Sequence, residues 1–557
     1  MNPTRPDPRS ETLNQSPVFA DVNLFSSDTG LRRAVEREGA GWASADLEVH
    51  GAALGTAESM ELALEANRYT PRLEPIDSRG YRIDRVDYHP AYHHFMALTM
   101  KAGVHCSPWD HLADGGTRRP GATVARAAAA YMTSQVEPGH MCPITMTHAS
   151  VATLTMEPAV ADQWLPRILG RDYDRRFRPA EEKSAVTIGM GMTEKQGGSD
   201  LRANITEARR ASDNMYEITG HKWFVSAPMC DAFLLLAQAR DGLSCFLMPR
   251  FLPDGELNAV RLLRLKDKIG NRSNASSEME FDGARAWLIG EAGRGVRNII
   301  EMATYCRLDC ALASAGMMRM GLARALNHAT HRTAFQRKLI DQPLMRRVLA
   351  DLAVEQAAAT ALVMRVARAY DATDAGGDGN PLDLAWKRIM TPAAKFWICK
   401  QGPHFLFETM ECLGGNGYVE ENMMGLLYRE MPVNAIWEGS GNIMCLDILR
   451  AVDREAQSFQ ALFADLADAA AGRRQIQSAV AALKDSFADI AVLETNARRI
   501  VERLAHVAAA CVLARAGDDA LCDAFCLTHL GQSRPRTYGA FEGSIDEAAV
   551  LEFAMPA

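Results

Sequence analysis

The chain has 557 residues, 48% of them apolar and 23% charged, with a formal net charge of -8. That length exceeds what one core supports and predicts about three or four units. The mild acidity excludes a global electrostatic drive toward nucleic acid or an anionic membrane. The longest apolar runs, such as AFLLLAQA at 232–239, fall far short of a membrane span, and the polar start MNPTRPDPRSETLNQSP lacks a signal core. A cytoplasmic chain without membrane association is expected.

In chain order, residues 1–182 read as a helical domain. GTAESMELALEANRY (55–69) opens on a helix cap, ARAAAAYMTSQ (125–135) is built of strong helix formers, and PAVADQWLPRIL (158–169) has helical apolar spacing behind a proline. The histidines here (His89, His93, His94, His105, His111) show no HExxH spacing, so no metal site is expected. The twelve cysteines are scattered. Cys306/Cys310 and Cys522/Cys526 each stand one helical turn apart with no second ligand pair, and read as reduced packing residues.

Residues 183–291 change grammar. AVTIGMGM, MYEITG, KWFVSA, DAFLLLAQ, LSCFLMPR and SSEMEFDG are short β-rich runs, and Asp241-Gly242 is a hairpin cue, so a small barrel or sandwich is expected. Residues 292–457 return to long helical periodicity, broken at DATDAGGDGNP (371–381), and read as an antiparallel bundle. Residues 458–557 form an Ala-rich, amphipathic helical tail. The class is therefore α+β.

Five stretches carry chemistry-bearing residues, four of them breaks between these elements and one a strand-like run. MGMTEKQGGSDL (190–201) combines Gly197 and Gly198 with the hydroxyls of Thr193 and Ser199, a loop suited to converging donors. It is neither GxGxxG nor a phosphate loop with Gly-Lys-Ser/Thr. HKWFVS (221–226) offers aromatic surface to a planar ring. RTAFQRKLIDQPL (332–344) supplies Arg332, Phe335 and Gln342, and LGGNGY (413–418) is a second glycine-rich break. IWEGSGNI (436–443) sets one carboxylate, Glu438, between Trp437 and a Gly-Ser-Gly run. Trp437 is expected to desolvate Glu438 and raise its pKa.

Together and in this order, these stretches resemble the acyl-CoA dehydrogenase family across roughly residues 90–450. RFLPDG, RLKDKIGNRSNAS, REMPVN, IWEGSGNIMCLD and the extra tail resemble its AidB-like branch of alkylation-response flavoproteins. The resemblance implies FAD bound between a helical, a β and a second helical domain. Residues Met190, Gly191, Met192, Thr193, Gly197, Gly198 and Ser199 match its flavin loop, and Phe224, Val225 and Ser226 its ring-facing strand. Ile436, Trp437, Gly439, Ser440, Gly441 and Asn442 surround the matching base, Glu438. Thr193, Ser199 and Arg307 match substrate positions. Arg332, Phe335 and Gln342 match residues that reach the FAD of a neighbouring subunit, which implies a homotetramer. Two positions depart from the pattern: Glu411 stands where the family has Gln, and Thr304 replaces the Asp of an Asp-x-x-Arg motif.

The same resemblance links the tail to double-stranded DNA. Its nine Lys/Arg are outnumbered by thirteen Asp/Glu. A basic stripe of Arg473, Arg474, Arg498, Arg499 and Arg503 is the candidate, with Arg499 and Arg503 one turn apart on one face. Two functions follow: a DNA-protecting flavoprotein that binds DNA and destroys alkylating agents, or a working dehydrogenase of a short or branched acyl-CoA.

Overall fold

The computed structural model describes residues 14–212, 214–374, 380–488, 492–531 and 537–556. Arg534 and Arg536 of the tail, most of the polar start and the centre of the 371–381 break lie outside them.

Helices α1 (Thr29–Arg37), α2 (Ser44–Leu54) and α3 (Ala57–Arg68) lead. The α3 helix starts at its expected cap, with the Thr56 hydroxyl accepting a hydrogen bond from Ser59 N. A hairpin that the sequence reading missed follows, β1 (Arg72–Ile76) antiparallel to β2 (Arg82–Asp87). Then come α4 (Pro90–Lys101), α5 (His111–Asp114), α6 (Ala122–Ser134), α7 (Met141–Leu154) and α8 (Pro158–Ile168). Both α6 and α7 are buried on almost every face, which suits their Ala- and Thr-rich sequences.

The β domain holds β3 (Ile188–Gly191), β4 (Glu207–Arg210), β5 (Met215–Ser226), β6 (Ala232–Ala239), β7 (Gly242–Pro249), β8 (Val260–Leu265) and β9 (Ser276–Leu288). The pairings β6–β4, β4–β5, β5–β9, β9–β7 and β7–β6 close a ring, so the domain is a barrel. β3 adds to β6 and β8 to β9. Ala239 faces Gly242 across the hairpin at Asp241-Gly242, as expected. MYEITG and KWFVSA are one strand, not two. Gly220, at φ +146°, follows a register shift at Ile218/Thr219 and lets β5 run on.

The second helical region has α9 (Gly295–His331), the small hairpin β10 (Thr333–Ala334) and β11 (Arg337–Lys338), α10 (Pro343–Asp374), α11 (Pro381–Ala385), α12 (Thr391–Cys412), α13 (Met423–Asn434) and α14 (Gly441–Arg454). The central α9 packs on α6, α7, α10, α12 and α13. The tail forms α15 (Ala456–Ala469), α16 (Arg474–Ala488), α17 (Ala497–Ala516), α18 (Asp519–His529) and α19 (Glu547–Ala554). It is not a free appendage: α17 buries one face against α10, α12 and α14. Arg319 of α9 donates to Ala554 O at the end of α19 and to Ser27 O just before α1, tying both chain ends to the bundle. No helix among the described residues is long and apolar enough to cross a membrane.

Candidate active site

Glu438 lies on the turn between α13 and α14. Its φ is +58°, in the left-handed region, and Gly439 follows at +98°. A non-glycine residue there is strained and persists only where its surroundings hold it. Two cations do so. Arg307 Nε of α9 donates to Glu438 O at 3.0 Å, and Lys395 Nζ of α12 donates to Gly439 O at 2.9 Å. Asp447 of α14 balances the first, pairing with Arg307 at 2.8 Å and Arg388 at 3.0 Å.

The turn leaves Glu438 Oε2 buried with no hydrogen-bond partner among the described residues. Burial pushes the carboxyl above its usual 4.5, against the pull of Arg307 and Lys395. The desolvating surface is wider than Trp437, whose Nε1 is engaged with Asn434 Oδ1 at 3.1 Å. The Glu438 charge also acts on the thiols of Cys142, Cys306 and Cys310, which places helices α7 and α9 beside it. Burial first, with Glu438 among the lesser causes, pushes Cys142 up to about 11, against a smaller opposing pull from the Ser226 hydroxyl. Glu438 and the end of β5 therefore share one neighbourhood.

The loop at 190–199 springs from β3, where Met190 and Gly191 pair with Leu234 and Leu235 of β6. Met192 O accepts from Asn204 Nδ2, and Thr193 O accepts from Trp223 N at 2.8 Å, joining the loop to β5. A Cβ on Gly198 would stand 2.5 Å from Thr193 Oγ1, so this close approach requires glycine. Gly197 and Ser199 are exposed at the rim. Below the loop, Glu194 Oε1 accepts from Lys222 Nζ at 2.7 Å, both side chains being 0% exposed. Ile205 N and Thr206 N also donate to Glu194.

At the end of β5, Phe224 is 48% exposed and Val225 is buried. Val225 packs against Gly191, so its side chain is not available to a ligand, and its carbonyl accepts from Ser277 Oγ at 3.1 Å. Ser226 is half-buried beside Ser276, their hydroxyls 3.1 Å apart. Ile436, Ser440 and Asn442 are exposed around the Glu438 turn, and Gly441 begins α14. A half-exposed aromatic ring with Lys266 Nζ 4.5 Å over it, a glycine-bearing loop and a carboxylate with one buried, unpartnered oxygen fit an isoalloxazine ring with a substrate beside it.

The second glycine-rich stretch falls elsewhere. Arg332, Ala334, Glu411 and residues 412–416 line a cavity of about 250 Å³ with His328 and Leu339. Phe335 projects from the β10–β11 hairpin, 94% exposed, and Gln342 Nε2 ties that hairpin at Ala334 O. None of residues 190–199 or 436–442 lines this cavity.

Three expected contacts need correction. Arg307, expected at the substrate, is turned into the Glu438 turn and Asp447, because an arginine buried there must satisfy its donors. In the candidate basic stripe, Arg473 pairs with Asp519 and Asp523. Arg503 donates to His529 O and Leu530 O, capping α18. Arg474, Arg498 and Arg499 remain exposed. Sequence reasoning also missed Lys395 and Cys142, which carry no motif of their own, and assigned no role to Glu194, Lys222 and Asp447, although each lies in a stretch quoted above; these residues meet only through the fold.

This architecture, a barrel between two helical regions with a buried acid at their junction, is that of a flavin-dependent oxidoreductase. Residues 14–175 match the family described as Adaptive response protein AidB N-terminal domain, 189–284 the Acyl-CoA dehydrogenase middle domain and 293–453 the Acyl-CoA dehydrogenase C-terminal domain. AidB of Escherichia coli (strain K12) is 50% identical over 451 residues, 81% of this chain and 82% of that protein. Among solved structures, Caenorhabditis elegans ACDH-11 in complex with C11-CoA superposes with a TM-score of 0.82 at 25% identity, covering 98% of this chain and 93% of that one. The Bd2924 apo-form gives 0.80 at 26% identity, covering 90% and 99%. The chain belongs to the acyl-CoA dehydrogenase family, in its AidB-like branch, and is an FAD-dependent oxidoreductase of that type.

Proposed function

We propose that the protein converts an acyl-CoA thioester to its α,β-unsaturated form, with Glu438 as the base. The observation that carries this reading is the buried, unpartnered Glu438 Oε2 on its pinned turn. Residues 190–199 and 224–226 would hold FAD, which would supply a hydride acceptor for the β carbon. Glu438 takes the α-proton, and the electron pair left on the α carbon forms the new double bond as the β hydrogen departs with its own pair. A carboxylate raised by burial is better matched to this work near neutral pH than an ordinary one.

The reacting form is the anion, so kcat/KM falls as pH is lowered. The expected midpoint lies above 4.5, the direction in which burial moves Glu438. A pH profile on one short thioester checks this; an acid limb below 4.5 contradicts it.

We propose the homotetramer that the family resemblance implies, and the exposed Phe335 tip beside the Arg332 cavity is the contact that would reach a neighbouring subunit. Phe335→Asp is expected to yield a smaller species by light scattering and to weaken FAD retention. A mass unchanged from a tetrameric wild type contradicts that role.

A second reading adds DNA protection during the alkylation response, and the exposed Arg474, Arg498 and Arg499 favour it. The wild type is then expected to bind duplex DNA with a steep salt dependence. Replacing all three by Ala should flatten the slope of log K against log salt by about 0.9 for each phosphate no longer neutralised. An unchanged slope contradicts this reading and leaves the dehydrogenase standing.

A further inference from the structure

Behind the ring-facing end of β5, residues from α7, β5, the β8–β9 connection and α13 meet. Lys268 Nζ donates to Asn274 O at 2.7 Å, Ser276 Oγ at 3.0 Å and Asn271 Oδ1 at 3.2 Å, using all three protons. Asn271, at φ +54°, passes the network on: its Nδ2 donates to Glu430 Oε1 at 2.8 Å and its backbone N to Glu430 Oε2. On the other side, Ser276 Oγ meets Ser226 Oγ at 3.1 Å. A chain of contacts thus runs Ser226–Ser276–Lys268–Asn271–Glu430.

The lysine gives this chain a direction. An ammonium only donates, so Ser276 Oγ accepts from Lys268 and keeps its own proton to give; Ser226 Oγ, 3.1 Å away, is within reach of it, in a contact where either hydroxyl can donate. When Ser276 donates in that contact, the single Ser226 proton is left for a ligand at the end of β5. The titratable groups facing Lys268 are Glu430 from α13 and the Cys142 thiol from α7, the latter held neutral by burial. Glu137, on the chain just before α7, sits behind Glu430 and is satisfied by His140, Ser273 and Asn67. Burial pushes Lys268 down to about 8 and Glu430 up to about 7, so neither holds its charge firmly. A cation in so poorly solvated a place acts strongly on its surroundings.

We propose that Lys268 is a positioning residue for the FAD ring: through Ser276 it sets Ser226 as a hydrogen-bond donor to the ring and places a positive charge behind it, favouring the electron-rich reduced cofactor. The inference rests on the FAD site described above, and not on the identity of the substrate.

The test is the midpoint potential of FAD bound to the full-length protein, measured against a reference dye with no thioester present. Lys268→Met is expected to shift the bound cofactor at least tenfold toward the oxidised form, about 30 mV for a two-electron couple, and to alter the visible flavin spectrum. Lys268→Arg, which keeps the charge, should recover most of the shift. Ser276→Ala breaks only the link to Ser226 and should alter the spectrum while leaving the other lysine contacts, so it decides the matter if Lys268→Met does not fold. Unchanged spectrum and potential in either folded variant would overturn the proposal. A wild type that binds no FAD would instead overturn the cofactor site itself.

Discussion

Glu438→Gln is expected to lower turnover of an acyl-CoA thioester by roughly 1,000-fold, with FAD still bound and KM little changed. Gln keeps the shape and burial of the side chain but cannot take a proton. The backbone carbonyls held by Arg307 and Lys395 belong to residues 438 and 439 and do not depend on the side chain. The turn should therefore survive, and the loss should fall on kcat. Steady-state rates with an artificial electron acceptor measure it. Retention of more than a tenth of wild-type kcat would remove Glu438 from the chemistry.

The second large effect is predicted beneath the flavin loop. Glu194→Ala leaves Lys222 Nζ buried with only Leu236 O as partner. Breaking a buried pair this way costs about 3–5 kcal/mol, because an uncompensated charge stays inside. The loss should appear as a lower Tm and weaker FAD binding, since Glu194 sits within residues 190–199. Replacing both partners by Met should recover most of the stability, because no charge is then stranded; a double variant as unstable as the single would contradict this cause. Acid should mimic the single variant. Burial alone would raise the Glu194 carboxyl, but hydrogen bonds from Lys222, Ile205 and Thr206 outweigh it and hold it at about 2, below its usual 4.5. The stabilisation is thus complete above 4.5 and is lost as pH falls from there toward 2.

How much of this was legible beforehand differs by residue. The α3 cap at Thr56, the Asp241-Gly242 turn and the long helices are local matters, and sequence shows them. The β1–β2 hairpin escaped because its register contains an irregularity at Glu74/Ile76 that disturbs the alternation of its strand. Gly220 was misread as a strand end because a glycine suits a continuing strand as readily as a stop; the bulge beside it belongs to β9, where Gly283 at φ +78° is the extra residue. At the site, Glu438 and the 190–199 loop announce themselves through glycine-rich motifs. Lys268 and Glu430 lie in stretches quoted for the resemblance, but their roles, like that of Cys142, depend on a meeting of chain segments far apart in sequence. Arg307, Arg473 and Arg503 show the reverse error: a guanidinium read as free for a ligand is engaged by acceptors that the fold brings to it.

Electron density for the FAD-loaded protein tests the central claim most directly. The account predicts the isoalloxazine ring between residues 190–199 and Phe224–Ser226, with the Glu438 carboxylate over its open face. A ring bound elsewhere, or a Glu438 side chain turned out to solvent in the loaded protein, would contradict it.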